Sequence, residues 1–344
     1  KLGEVIKKLE NKQNWSNSIS NIRALAIIVV VFGHSIILYS SNWNIYTTKY
    51  TMPTLDLLKR VLDMFQMPLF FSISGYLFYF TYAKRRGILH LINSKIKRLI
   101  VPYILVSLFF VIPLRIIIHY PGYEHQTWIK LLTNILMATD VGHLWFLPAL
   151  FLIFGIAWIG LWIIEKMLGK NNIMNTVILF LISLVLYFVG YKIGFGYGPL
   201  LSAYNYFIWF IVGYILCEHQ QIIASIRKNQ KIVYVLGIIA SSLIVINTIY
   251  PISVILTIVI KIIFIFSIYV WIPPNKNKII NIISENSFGI YLFHSPLTYI
   301  IYTLDVNANP VVVVGINFIV CGIIASILTI LLRKIKLGFM IGEV

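Results

Sequence analysis

Long apolar runs, interrupted by short polar breaks, fill this chain. Runs of 15–22 residues fall at 22–40, 61–82, 99–119, 145–165, 173–191, 203–217, 231–249, 252–271, 287–304 and 311–332. A helix of about 20 apolar residues crosses the bilayer core, so the pattern predicts ten spans, the start of 203–217 being the least defined. The runs 54–60 and 128–138 are too short to cross and are expected to be interfacial or re-entrant. Ahead of the first span, Leu2, Val5, Ile6 and Leu9 recur at helical spacing with Lys7, Lys8 and Lys12 around them. That pattern fits a short amphipathic helix on an anionic membrane surface, or a solvated tail. The first apolar run is too long for a cleavable signal peptide. No polar linker or internal repeat divides the chain. The predicted organisation is an N-terminal cytoplasmic segment, 1–18, a single membrane domain, 19–336, and a short cytoplasmic tail, 337–344. The fold class is all-α, a polytopic bundle of about ten transmembrane helices.

Composition sharpens this picture. Of 344 residues, 59% are hydrophobic and 11% charged, which excludes an ordinary soluble domain. The net charge of +17 would suggest a nucleic-acid partner if the cations formed a stripe. Instead they sit in short loops. With the N-terminus inside, the outer loops hold only Lys49, Lys59, Arg60, Lys130 and Lys192, and the spans hold Arg23, Arg115 and Lys261. The other lysines and arginines fall inside, which puts both termini in the cytoplasm and leaves no nucleic-acid surface. Cys217 and Cys321 lie in apolar runs with no metal-ligand spacing and read as small buried hydrophobes. GFGYGP at 194–199 follows no strand and is not a nucleotide fingerprint.

Ionisable residues within spans are costly to bury and therefore point to function. Arg23 and His34 share one helix face, eleven residues and roughly 16 Å apart. Arg23 alone also fits a snorkelling cation at the end of a first span, and His34 a hydrogen-bonded structural histidine. Asp63 and Gln66 fall at about the depth of His34 on the second span. Asp63 is the carboxylate placed to orient His34, or else it faces water at the interface. Pro68 is expected to kink that helix, while Ser72, Ser74 and Gly75 allow close helix approach. His143 lies at the mouth of the fourth span, His294 near the middle of the ninth. Lys261 must pair or line water, and Arg115 can snorkel outward. The inner loop AKRRGILHLINSKIKR at 83–98 is the most basic segment. It serves as a topology signal or as an anion site. In the second case Lys95 and Arg98, three residues apart, share a face, and Arg85 and Lys97 add to the charge. No metal quartet, serine-hydrolase elbow or P-loop is present.

Five segments in order resemble the acyltransferase-3 family of integral-membrane acyltransferases. They are Arg23-x10-His34, MPLFFSISGYLF at 67–78, KIKRLIVPY at 95–103, HLWFLPALF at 143–151 and FGIYLFH at 288–294. The resemblance covers nearly the whole chain. It implies ten spans in the cell membrane and transfer of an acyl group, usually acetyl, from cytoplasmic acyl-CoA as donor substrate. The implied acceptor is a hydroxyl of a cell-surface or lipid-linked glycan. The family's Arg-x10-His pair falls on Arg23 and His34, and its Arg-x-x-Arg motif on Lys95 and Arg98. Lysine at 95 keeps the charge but loses bidentate phosphate geometry. On this reading Arg23, Arg85, Lys95, Lys97 and Arg98 hold the phosphorylated end of the donor. His34 acts as general base or acyl relay, Asp63 orients it, and His143 or His294 stabilises the oxyanion or completes a relay. A proton-coupled transporter or flippase is the competing class. Buried Arg, Lys and His also mark proton-coupled pathways, but the scarcity of intramembrane carboxylates and the lack of a visible inverted repeat speak against it.

Overall fold

The computed structural model of the chain describes residues 2–41, 52–84, 87–123, 125–139, 142–169, 172–193, 198–275, 277–300 and 308–343. Arg85 lies outside them. The described residues form twelve main helical elements and no strand. These are α1 (Leu2–Ile36), α2 (Pro53–Ala83), α3 (Ile88–Ile117), α4 (Trp128–Leu136), α5 (Phe146–Leu168) and α6 (Asn172–Ile193). They continue as α7 (Pro199–Glu218), α8 (Gln220–Arg227), α9 (Gln230–Ile249), α10 (Val254–Trp271), α11 (Lys278–Thr298) and α12 (Pro310–Lys334). A 3-10 turn, Gly142–Trp145, leads into α5, and another, Gly338–Ile341, follows α12.

Local chemistry sets many of the boundaries. Proline occupies the first turn of α2, α7 and α12, where its missing N–H costs nothing. Thr127, Ser253, Asn277 and Asn309 cap α4, α10, α11 and α12 through their side-chain oxygens. The third span is not a uniform helix: Ile96–Ile100 and Ser107–Val111 are π-helical turns. Pro102 and Pro113 follow them and cannot donate to the carbonyls of Arg98 and Phe109.

Among the described residues, nine helices are long and apolar enough to cross a membrane. They account for nine of the ten predicted spans. The tenth, α11, has a suitable length, about 31 Å, but its first turns carry Ser284, Glu285, Asn286 and Ser287. It can be polar because α1 and α12 pack along it and nearly every residue from Ser284 to Thr298 is buried. Three other expectations change. Residues 54–60 are not a separate interfacial piece but the first turns of α2. The segment before the first span is continuous with it in one helix. Arg115 does not snorkel outward: it is 3% exposed, its guanidinium against the rings of Tyr120 and Tyr123. Helix α4, nine residues long, is too short to span and is amphipathic, burying Leu131 and Ile135 while exposing Trp128, Ile129 and Leu136.

The tightest packing joins α2 to α7. A Cβ on Gly75 would lie 1.8 Å from the Phe210 carbonyl oxygen, and one on Gly213 1.7 Å from that of Ser72. The two glycines thus let the backbones touch reciprocally, as small residues do between membrane helices. Phe71, Phe78, Phe207 and Phe210 fill the space around this contact. A second group, α1 with α11 and α12, packs beside it, and α1 also meets α2. The candidate site lies where these groups join.

Candidate active site

His34, His143 and His294 come from α1, from the turn before α5 and from α11, and the fold stacks them together. The ring centroids of His34 and His294 are 4.8 Å apart, those of His143 and His294 5.3 Å, and those of His34 and His143 6.3 Å. Helix α11 organises the group. The Leu292 carbonyl lies 3.1 Å from His143 Nε2, and the Tyr291 hydroxyl donates to the His143 carbonyl. Gly142, at φ +58°, turns the chain so that His143 points inward. Its missing Cβ also leaves room for Arg115, whose Nη2 would sit 2.4 Å from such an atom.

Backbone carbonyls only accept, so they determine which ring nitrogens carry hydrogen. His294 Nδ1 lies 2.8 Å and 2.9 Å from the carbonyls of Ile290 and Tyr291. It therefore carries the hydrogen, and Nε2 is an acceptor. That acceptor meets His34 Nδ1 at 3.2 Å, while His34 Nδ1 is also 2.9 Å from the Val30 carbonyl. His34 Nδ1–H is thus shared between Val30 and His294, and the lone pair of His34 sits on Nε2. By the same logic His143 Nε2 is the donor and Nδ1 holds its lone pair. His294 is fully buried and His143 is 5% exposed, whereas His34 is half-buried. His34 is thus the least buried of the three, and its Nε2 makes no hydrogen bond to a described residue while Nδ1 is held by Val30 and His294. Neither His143 nor His294 has an N–H left to donate to an oxyanion, so the arrangement favours positioning over oxyanion stabilisation. Among the described residues, no group of three or more His, Cys, Asp or Glu side chains is arranged to hold a metal ion.

Asp63 lies elsewhere. Its Oδ1 accepts from Lys59 Nζ and Gln66 Nε2, both on α2. The place expected for Asp63, beside the imidazole of His34, is taken by His294. Gln66 instead packs on Gly33, where a Cβ would lie 2.7 Å from its Oε1.

Lys95, Lys97 and Arg98 line a cavity of about 370 Å³ together with Lys84, His90 and Trp158. The π-helical turn at Ile96–Ile100 carries two of the three cations. Lys95 Nζ sits 3.6 Å from the centroid of the Phe154 ring. Arg23 is half-buried on α1, is not among the lining residues, and has no hydrogen-bond or ion-pair partner among the described residues. One turn of α11 relates it to the cavity. Ser284 on that turn bonds Ser20 at 2.9 Å, and Phe288 packs near Gly342, which touches the Arg98 carbonyl. From Phe288 to His294 the same helix rises only about 9 Å.

Sequence reasoning passed over Arg227, which reads as one more loop cation. Its Nη2 donates to Ser18 Oγ at 3.0 Å and to the carbonyls of Tyr269 and Ile272 at 2.8 Å and 3.1 Å. It closes the end of α10 and ties it to α1. Nothing in its local sequence signals that role.

Nine helices of spanning length among the described residues, packed around three histidines in mutual contact, define the class as a multi-pass membrane protein. The chain belongs to the acyltransferase-3 family: the model of this acyltransferase domain matches residues 16–332. The match covers nearly the whole chain and bears out the resemblance of the five ordered segments. No curated protein and no solved structure matches the chain significantly.

Proposed function

We propose that this membrane acyltransferase moves an acyl group, in the first instance acetyl, from cytoplasmic acyl-CoA to a hydroxyl of a cell-surface or lipid-linked glycan at the cell membrane. The observation that carries the reading is the free Nε2 of a half-buried His34 whose other nitrogen is engaged by His294. With both termini inside, the cavity of Lys95, Lys97 and Arg98 faces the cytoplasm, and its cations suit the phosphates of the donor. Arg23 stands toward the same face and adds a guanidinium.

In the chemical step His34 Nε2 takes the proton of the acceptor hydroxyl. The oxygen attacks the thioester carbonyl, a C–O bond forms and the C–S bond breaks. The departing thiolate recovers the proton from the His34 imidazolium and leaves as the free thiol. His294 Nε2 holds the Nδ1–H of His34 throughout, which fixes the ring and supports its transient charge. His143 closes the buried side of the cluster and excludes water.

The test is to incubate membranes containing the protein with radiolabelled acetyl-CoA and to extract glycan and lipid-linked glycan. Base-labile label in either fraction, absent from membranes without the protein, is the expected result. Absence of such label with acetyl-CoA and with other short acyl-CoAs would contradict the proposal. Mass spectrometry of the labelled product then names the acceptor.

A further inference from the structure

On the His34 side of the bundle, one polar stripe is left unused by this mechanism. Lys59, Asp63 and Gln66 stand at helical spacing on one face of α2, inside a spanning segment. Lys59 is 4% exposed and donates to Asp63 Oδ1. Gln66 Nε2 donates to the same oxygen. The second carboxylate oxygen, Oδ2, makes no hydrogen bond to a described residue, and the Asp63 side chain is 40% exposed. Across from it on α10, Lys261 is half-buried, with Nζ 5.8 Å from the centroid of Trp209. Its charge bears on Asp63, yet among the described residues it has no ion pair within 4 Å.

The charges do not balance: two ammonium groups share one carboxylate. A surplus cation within a span is expensive, and it is relieved by an anion or by loss of a proton. Gln66 adds a second unmet demand, since its Oε1 is buried without a partner. That oxygen abuts Gly33, next to His34, so the stripe runs up to the base. From Lys59 to Gln66 the stripe rises about 10 Å.

We propose that Lys261 and Lys59, with Asp63 and Gln66 between them, form a subsite for an anionic substituent of the acceptor, a carboxylate or a phosphate. The word acceptor rests on the acyltransferase reading; the charge surplus does not. Lys261 supplies the cation that Asp63 leaves uncompensated, and Lys59 keeps Asp63 from repelling the ligand. Gln66, donating through Nε2, holds Asp63 Oδ1 in place between them. The short distance to His34 places the anionic group and the acyl-accepting hydroxyl on the same or neighbouring sugar units.

The experiment measures binding, without any acyl donor, to the purified protein in phosphatidylcholine nanodiscs. The probes are octyl glucoside, octyl glucuronide and octyl glucoside 6-phosphate. The wild type should bind at least one anionic probe about tenfold tighter than the neutral one. Which anionic probe wins distinguishes carboxylate from phosphate. Lys261→Gln should erase the preference and Lys261→Arg should retain it. Asp63→Asn should change it in the opposite direction, tightening the anionic probe further, which a merely disrupted fold would not do. Equal binding of all three probes to the wild type, or a preference that survives Lys261→Gln, would overturn the proposal. His34→Ala should leave the preference intact, so failure of the subsite and failure of the catalytic reading give different results.

Discussion

The two ends of α1 are built on different principles. Toward Arg23 the polar groups are cations on exposed or half-buried turns. Lys84, Lys97 and Arg98 are exposed and share a cavity with Lys95, and Lys97 and Arg98 stand on the π-helical turn of α3. Around His34 the ring contacts are imidazoles locked by carbonyls of their own and neighbouring helices, with the Lys59–Asp63–Gln66 stripe alongside. The first arrangement holds charge near water and tolerates movement of its long side chains. The second fixes hydrogens, and hence lone pairs, in a low-dielectric interior where an unmade hydrogen bond is costly. The difference teaches a division of labour: one end suits grip on a charged ligand, the other suits directed proton transfer.

That division can be tested by separating affinity from turnover. The largest effect is expected at the histidine end. His294→Ala removes one of the two acceptors of His34 Nδ1–H, the one that ties the ring to another helix, and should lower kcat by about a hundredfold with the KM for acyl-CoA nearly unchanged. Steady-state kinetics with varied donor concentration checks this; a change confined to KM would break the comparison. A smaller effect of opposite kind is expected at the cation end. Arg98→Ala should raise the KM for acyl-CoA by about tenfold, leave kcat within about twofold, and weaken the dependence of KM on salt. A loss of kcat there would merge the two ends.

The smallest effect sharpens the account of how the cation end is held. Gly342 sits at φ +72°, and a Cβ there would lie 2.7 Å from the Arg98 carbonyl. That carbonyl is the one Pro102 cannot satisfy from within the helix. The turn Gly338–Ile341 packs against α3, and the Arg333–Glu343 ion pair, at 2.6 Å, ties the end of this segment to α12. Gly342→Val should push that end away and raise the KM for acyl-CoA about threefold, with kcat unaffected. No change in donor KM would show that the chain end leaves Arg98 undisturbed.

Much of the fold was readable because lipid imposes long apolar runs. Nine spans follow from that rule alone, and Arg23 and His34 stand out because they violate it. The rest depends on contacts that no local pattern carries. Residues 34, 143 and 294 are remote in sequence, and only α11 brings their rings together. His143 reads as a loop residue at a span's mouth because the turn that aims it inward is a single positive-φ glycine. Lys59 reads as a loop cation because the apolar run begins after it, although α2 begins before it. Asp63 is the natural partner of His34 by depth, but helical spacing hands it to Lys59 and Gln66 instead. Arg115 is near a span's end, where snorkelling is the ordinary outcome, and the aromatic pair Tyr120 and Tyr123 folds over it.

The central claim is that His34 is the base of acyl transfer. It is tested most directly by transfer of label from acetyl-CoA in membranes carrying wild type or His34→Ala at equal protein level, with donor binding measured in parallel. The account predicts a loss of at least a hundredfold in transfer, since general base catalysis contributes about 10²–10⁴-fold, with donor affinity retained. Transfer by His34→Ala within a few-fold of wild type would contradict it.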